Sequence, residues 1–232
     1  MIHERGVVLV SGGMDSCILA GFAMREVEEL LFLHVRYGQR TAERELKAFH
    51  DIADHYGVRE RLVADISYLR EIGSSCLTDE EIDVPLGDFR EDVIPPSYVP
   101  FRNAHLLSIA VSWGEARGAT AAYIGAIEAD SSGYPDCRRT FIEAFNRAAD
   151  LGTRPETDMV IKAPFIDLMK KDLILMGKSL NAPLHLTWSC YRNEDIACGA
   201  CDSCYLRLQA FKNAGIQDPI PYSTRQGETA RP

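Results

Sequence analysis

The chain lacks any apolar run approaching the roughly 20 residues that a membrane span requires, so no membrane role is expected. Its first residues, Met1 to Arg5, are short of apolar character and carry no small-residue cleavage site, so no secretory leader is expected. Positive charge is scarce: 25 Lys and Arg stand against 34 Asp and Glu, a net charge of −9. Contacts to a nucleic-acid backbone need a basic face, so nucleic-acid binding is not expected. Internal repeats and low-complexity blocks are also missing. What remains is ordinary for a globular chain: 232 residues, 46% hydrophobic and 25% charged, enough to bury a sizeable core. Seven cysteines is an odd count, and four of them crowd between residues 190 and 204. Such a cluster in a reducing compartment holds metal more often than disulfides, which points to a cytoplasmic protein.

Strand-like and helix-like segments alternate. Apolar β-branched runs occupy residues 7–10, 30–37, 61–66, 121–127 and 160–165. Between them, helical spacing marks residues 16–30, 41–56 and 103–117, the last two stopped by Gly57 and Gly118. This alternation predicts an α/β fold: a parallel twisted sheet with helices on both faces. Two stretches break the rhythm. Residues 73–102 are acidic and rich in Pro and Gly, as a lid or binding loop would be. Residues 128–140 follow the fourth strand, at the sheet edge where ligands bind in such folds.

Ser11-Gly12-Gly13-Met14-Asp15-Ser16 lies between the first strand and the first helix. Paired glycines let backbone N–H groups converge on an anion, and the helix adds its N-terminal dipole. No Gly-Lys-Ser/Thr follows, so this is not a Walker loop. The C-terminal cysteines, Cys190, Cys198, Cys201 and Cys204, have the two-residue gaps of a tetrahedral zinc site. An iron–sulfur site is the alternative, although the Cys-Pro that ends the bacterial cluster run is absent. A closed set of four thiolates leaves no open position on the metal, so its role is structural, one Zn²⁺ per chain.

The Ser-Gly-Gly-x-Asp-Ser string resembles the PP-loop of ATP pyrophosphatases. Further strings narrow the resemblance: Tyr37-Gly38-Gln39-Arg40, Val99-Pro100-Phe101-Arg102-Asn103, Ser132-Gly133-Tyr134-Pro135-Asp136-Cys137-Arg138, Thr187-Trp188-Ser189-Cys190-Tyr191 and Cys198-Gly199-x-Cys201-Asp202-Ser203-Cys204. In this order they resemble the QueC family of 7-cyano-7-deazaguanine synthases, from Val7 to about Pro219. The resemblance implies a Rossmann-like PP-loop ATPase fold and a ligase that forms C–N bonds. It would convert 7-carboxy-7-deazaguanine, ammonia and ATP to the nitrile through adenylated intermediates, a step in queuosine biosynthesis. A PP-loop tRNA thiolase and a non-catalytic nucleotide-binding zinc module are the rival readings. The first needs a basic face and a sulfur-handling cysteine, and the second would not turn over ATP.

The resemblance also implies roles. Val10, Ser11, Gly12, Gly13 and Met14, with Asp15, Ser16, Cys17, Ile18 and Leu19, would bind ATP. Asp15 would act through Mg²⁺, Ser16 would assist, and the adenine would lie near Leu33–Arg36. Lys171 would neutralise phosphate charge. Arg102, Tyr134, Asp136 and Arg138 are candidates for holding the substrate. Residues 1–185 would form the nucleotide-binding domain, 186–218 the zinc-binding segment and 219–232 a polar tail. A homodimer is expected.

Overall fold

A computed structural model describes residues 4–87, 93–128 and 133–223. Five parallel strands form one sheet: β1 (Arg5–Leu9), β2 (Glu29–Arg36), β3 (Arg61–Asp65), β4 (Ala121–Tyr123) and β5 (Val160–Lys162), in the order β3-β2-β1-β4-β5. The longer helices are α1 (Met14–Ala23), α2 (Ala42–His55), α4 (Arg102–Arg117), α5 (Arg139–Gly152), α6 (Lys170–Ser179) and α7 (Asp202–Asn213). A single turn, α3 (Leu69–Ile72), follows β3. Successive side chains of a strand point to opposite faces. Val7 and Leu9 of β1 therefore join Leu107 and Ala110 of α4 in one core. Val8 joins Ile18 of α1, Phe49 of α2 and Leu173 of α6 in the other. The α/β sheet with helices on both faces is as the alternation predicts.

The strand order reverses on either side of β1, which leaves a crevice beyond the carboxyl ends of β1 and β4. Elements are trimmed relative to the sequence pattern. The helix expected over 16–30 ends at Ala23, and the strand expected over 160–165 ends at Lys162.

Two expectations are corrected. Residues 73–87 and 93–102 are fastened rather than lid-like: Ser75, Cys76 and Leu77 are buried. Arg40 reaches in from the β2–α2 connection and donates to the carbonyls of Cys76, Asp79 and Ile82 at 2.7–2.8 Å. The polar tail expected from Pro219 begins later. Ile220 is buried, the Tyr222 hydroxyl donates to Asp218 at 2.6 Å, and Ser223 N–H donates to the Ala197 carbonyl. Asp218 draws this stretch in because it forms a two-pronged ion pair with the fully buried Arg207 of α7, at 2.7 and 2.9 Å. Residues 224–232 lie outside the described residues, as does Ser132.

Candidate active site

The crevice holds a cavity of about 310 Å³. One end is the loop between β1 and α1. Gly12 adopts φ +90°, and a Cβ there would lie 2.6 Å from the Glu45 carbonyl oxygen, so glycine is required on both counts. The Ser11 and Ser16 hydroxyls share a hydrogen bond of 3.2 Å, and Ser16 also donates to the Gly13 carbonyl at 2.9 Å. No side chain caps α1, so its first turn offers backbone donors to the cavity. Asp15 accepts from Lys170 Nζ at 2.9 Å through Oδ2, while its buried Oδ1 has no hydrogen-bond partner.

Lys170 reaches the loop because α6 lies close against α1. At Gly177 a Cβ would meet Ile18 at 2.8 Å. Lys170 shares the inward face of α6 with buried Leu173, Ile174 and Gly177. Lys171, the lysine that the sequence singles out, is one residue round the helix and exposed. The structure therefore brings Lys170 to the loop and leaves Lys171 in solvent.

Below the loop, His34 is buried and its Nδ1–H donates to the Val10 carbonyl at 3.0 Å. Burial lowers its pKa to about 4, so the ring is neutral at physiological pH.

The other end of the cavity is built from separate elements. Arg102, at the start of α4, donates to the Tyr37 hydroxyl at 3.1 Å and lies 5.0 Å over that ring. Its Nε is buried without a hydrogen-bond partner. It follows Phe101, a non-glycine residue at φ 57°, an uncommon conformation that concentrates strain where Arg102 enters the site. Tyr134, Tyr191 and Glu45 also line the cavity, Glu45 with its backbone against Gly12 and its carboxyl within reach of the Arg102 charge.

The cysteine segment forms part of the wall. Trp188 N–H donates to the Gly12 carbonyl at 2.9 Å, tying it to the phosphate loop. Arg207 holds the approach by donating to Thr187 Oγ1 at 2.7 Å and Ser189 Oγ at 3.2 Å. The sulfur atoms of Cys190, Cys198, Cys201 and Cys204 lie within 4.8 Å of one another, all buried. Cys198 and Cys204 sulfurs are 3.9 Å apart. That is far longer than a disulfide and close to the about 3.8 Å edge of a tetrahedron with ~2.3 Å metal–sulfur bonds. Backbone N–H groups of Arg192, Asn193 and Cys198 point at the Cys190 sulfur at 3.3–3.4 Å, as suits a thiolate. This cluster can bind a metal ion.

The chain matches the family described as "Queuosine biosynthesis protein QueC" over residues 5–215. The chain belongs to the QueC family. Relatives named 7-cyano-7-deazaguanine synthase include one from Chlorobaculum parvum, 52% identical over 221 residues, covering 95% of this chain and 97% of its own. Another from Chlorobium luteolum is 53% identical over the same span, with the same coverage. Among solved structures, a predicted subunit of tRNA methyltransferase from Methanocaldococcus jannaschii aligns over 96% of this chain and 94% of its own. Its TM-score is 0.51 at 12% identity, a likeness of fold alone.

Several residues that the QueC resemblance nominated lie elsewhere. Of the ten residues from Val10 to Leu19, Val10, Ser11, Gly13, Met14, Asp15 and Ser16 line the cavity, and Gly12 stands behind them. Cys17, Ile18 and Leu19 do not line it. They are wholly buried in the core side of α1, and burial pushes the Cys17 thiol up to about 12. Of the stretch expected to lie against adenine, Leu33 and Val35 line the cavity, whereas Arg36 pairs with Glu43. Arg102 and Tyr134 line it; Asp136 and Arg138 do not. The short 3₁₀ turn Pro135–Cys137 points Asp136 inward, where its carboxylate accepts Asn103 N–H at 2.8 Å and satisfies the first turn of α4. The same turn leaves Arg138 exposed. Cys137 does line the cavity, but burial raises its thiol to about 11, and its sulfur receives Asn103 Nδ2 at 3.3 Å.

Reasoning from residues alone gave no role to Glu45, Lys170, Trp188 or Arg207. For Glu45 and Arg207 a signal existed. Each sits on the inner face of an amphipathic helix, Glu45 three and four residues before buried Ala48 and Phe49, and Arg207 before Ala210 and Phe211. A charged residue at a core position is the informative observation.

Proposed function

We propose that the chain is a 7-cyano-7-deazaguanine synthase, converting 7-carboxy-7-deazaguanine, ammonia and two ATP to the nitrile. The observation that carries this reading is one cavity lined by a phosphate-type loop and by Arg102, whose buried Nε has no hydrogen-bond partner. Carboxylate and amide oxygens are poor leaving groups, so each must be activated before it departs. A carboxylate oxygen attacks the α-phosphorus of ATP, and pyrophosphate leaves with the electron pair of the broken P–O bond. Ammonia then displaces AMP from the acyl carbon, giving the amide. The amide oxygen attacks a second ATP in the same way, releasing pyrophosphate; loss of one N–H proton gives the O-adenylyl imidate, and loss of AMP with the second N–H proton leaves the C≡N bond.

In this reading Ser11, Gly13 and Ser16 hold the departing pyrophosphate, Lys170 offsets its charge, and Arg102 orients the acid by its oxygens. The partnerless Oδ1 of Asp15 suits Mg²⁺, which would screen the repulsion between that carboxylate and the phosphates. Cys190, Cys198, Cys201 and Cys204 would hold one Zn²⁺, whose closed thiolate shell supplies structure rather than chemistry. Cys137, as a protonated thiol, serves packing rather than acyl transfer. The working form is a cytoplasmic homodimer with small-molecule partners only.

The test is product accounting. Each nitrile is expected to release about two AMP and two pyrophosphate, one pair per oxygen activated, and the isolated amide about half as much. ADP and inorganic phosphate as the dominant products would overturn the mechanism. Metal analysis is expected to find one zinc per chain; iron without zinc would exclude that assignment.

A further inference from the structure

Glu45 is the one carboxylate at the Arg102 end of the cavity, and neither the loop nor the chemistry above gives it a task. It occupies the first turn of α2, where the helix dipole favours negative charge. Its oxygens are each held by one neutral donor: Thr41 Oγ1 gives to Oε1 at 2.9 Å, and Gln39 Nε2 gives to Oε2 at 3.0 Å. Gln39 is itself fixed, because its Oε1 accepts Tyr37 N–H at 2.9 Å. Its amide is thereby turned with the NH₂ group toward Glu45. Burial raises the Glu45 pKa, opposed by these two hydrogen bonds and by the charge of Arg102. Each oxygen retains a second lone pair, and no ion pair within 4 Å compensates the charge among the described residues. A half-buried carboxylate so held, with one neutral donor on each oxygen, has room for further donors.

Arg102, whose charge acts on Glu45, brings the reverse chemistry to the same cavity. Arg102 offers a buried Nε without an acceptor, and the rings of Tyr37, Tyr134 and Tyr191 line the cavity with it. Aromatic walls with an acceptor on one side and a donor on the other fit a flat heterocycle that has a donor edge and an acceptor edge.

We infer that Glu45 selects the deazaguanine by accepting its ring N1–H and exocyclic 2-amino N–H as a pair, while Arg102 takes the oxygens of the opposite edge. This rests on the function proposed above. A 2-amino-4-oxopyrimidine presents two adjacent donors that match the two oxygens of a carboxylate. Adenine presents one donor beside an acceptor nitrogen, which would face a carboxylate lone pair. Glu45 therefore distinguishes the acid from the nucleotide that shares the cavity. Sites built to hydrogen-bond a substrate group reject analogues that lack it, because the protein group is left unpaired.

The full chain is tested with 7-carboxy-7-deazaguanine and its analogue without the 2-amino group, by kcat/KM and by calorimetric binding. Wild-type protein is expected to prefer the 2-amino acid by about a hundredfold. In Glu45→Gln that preference is expected to fall to within about threefold, through KM rather than kcat, with the KM for ATP unchanged. Glu45→Asp, which keeps a carboxylate at this helical position, is expected to retain a preference for the 2-amino acid. A Glu45→Gln variant that keeps the full preference, or that loses ATP affinity instead, would overturn the inference and leave the proposed function standing. Wild-type protein that bound neither acid would overturn both.

Discussion

The two ends of the cavity are made in different ways. The loop end is built mainly from one unbroken stretch, Ser11 to Ser16, with its glycine turn, two hydroxyls and the Asp15 carboxylate, joined by Lys170 from α6. The tyrosine end is assembled from side chains on five separate segments: Tyr37, Glu45, Arg102, Tyr134 and Tyr191. A backbone device needs only a local turn and tolerates any ligand with the right charge. A side-chain device depends on every element that delivers it, and the discrimination between heterocycles proposed above would rest on that dependence.

Three experiments sharpen this division, beginning with the largest effect. Asp15→Asn keeps the shape of the phosphate end and removes its charge. It is expected to lower turnover about a thousandfold with little change in melting temperature, since a partly exposed carboxylate in the first turn of α1 contributes little to the core. Turnover near wild type, with ATP saturating, would remove Asp15 from the chemistry. Next, the α6 lysines separate position from proximity in sequence. Lys170→Met is expected to cost about a hundredfold in kcat/KM, and Lys171→Met nothing measurable; the reverse pattern would restore Lys171.

The smallest effect is a difference of sign with pH. His34, under the phosphate end, has a folded pKa of about 4, below its unfolded value near 6.5. The unfolded chain takes up that proton first, so stability falls as pH drops from about 6.5 to about 4, by about 3 kcal/mol in total. Glu45, at the tyrosine end, is shifted upward, so its folded form takes the proton first and gains stability as pH falls through its raised pKa. In denaturant titrations across this window, His34→Asn is expected to flatten the loss at acid pH, and Glu45→Gln to steepen it. Parallel slopes for both variants and wild type would show that neither shift operates.

The same division accounts for what could be read before any coordinates. The sheet follows from alternating apolar runs, and the phosphate end from a contiguous string whose geometry is local. The cysteine cluster is legible for the same reason, three of its four residues lying within seven positions. The tyrosine end is not, because the distances that unite Glu45 with Arg102 are set by how α2 and α4 pack on the sheet. The sequence pattern points to Lys171 and not Lys170 because a pattern carries no helical phase; the close approach at Gly177 sets that phase. Asp136 resembled a base reader because the string marks a loop after a strand. Only the fold shows that its carboxylate is occupied by the first turn of α4.

The bond from Trp188 N–H to the Gly12 carbonyl has a consequence for the order in which the protein is made. Synthesis delivers β1 and its loop well before Trp188. A nascent chain therefore displays the entire Ser11–Ser16 string while the wall that fixes Gly12 is still inside the ribosome. The Gly12 carbonyl gains its partner only when the cysteine segment emerges and folds against the loop. Unfinished or prematurely ended chains carry the phosphate motif without the means to hold it in shape. Completion of the chain is thus the step that licenses the loop.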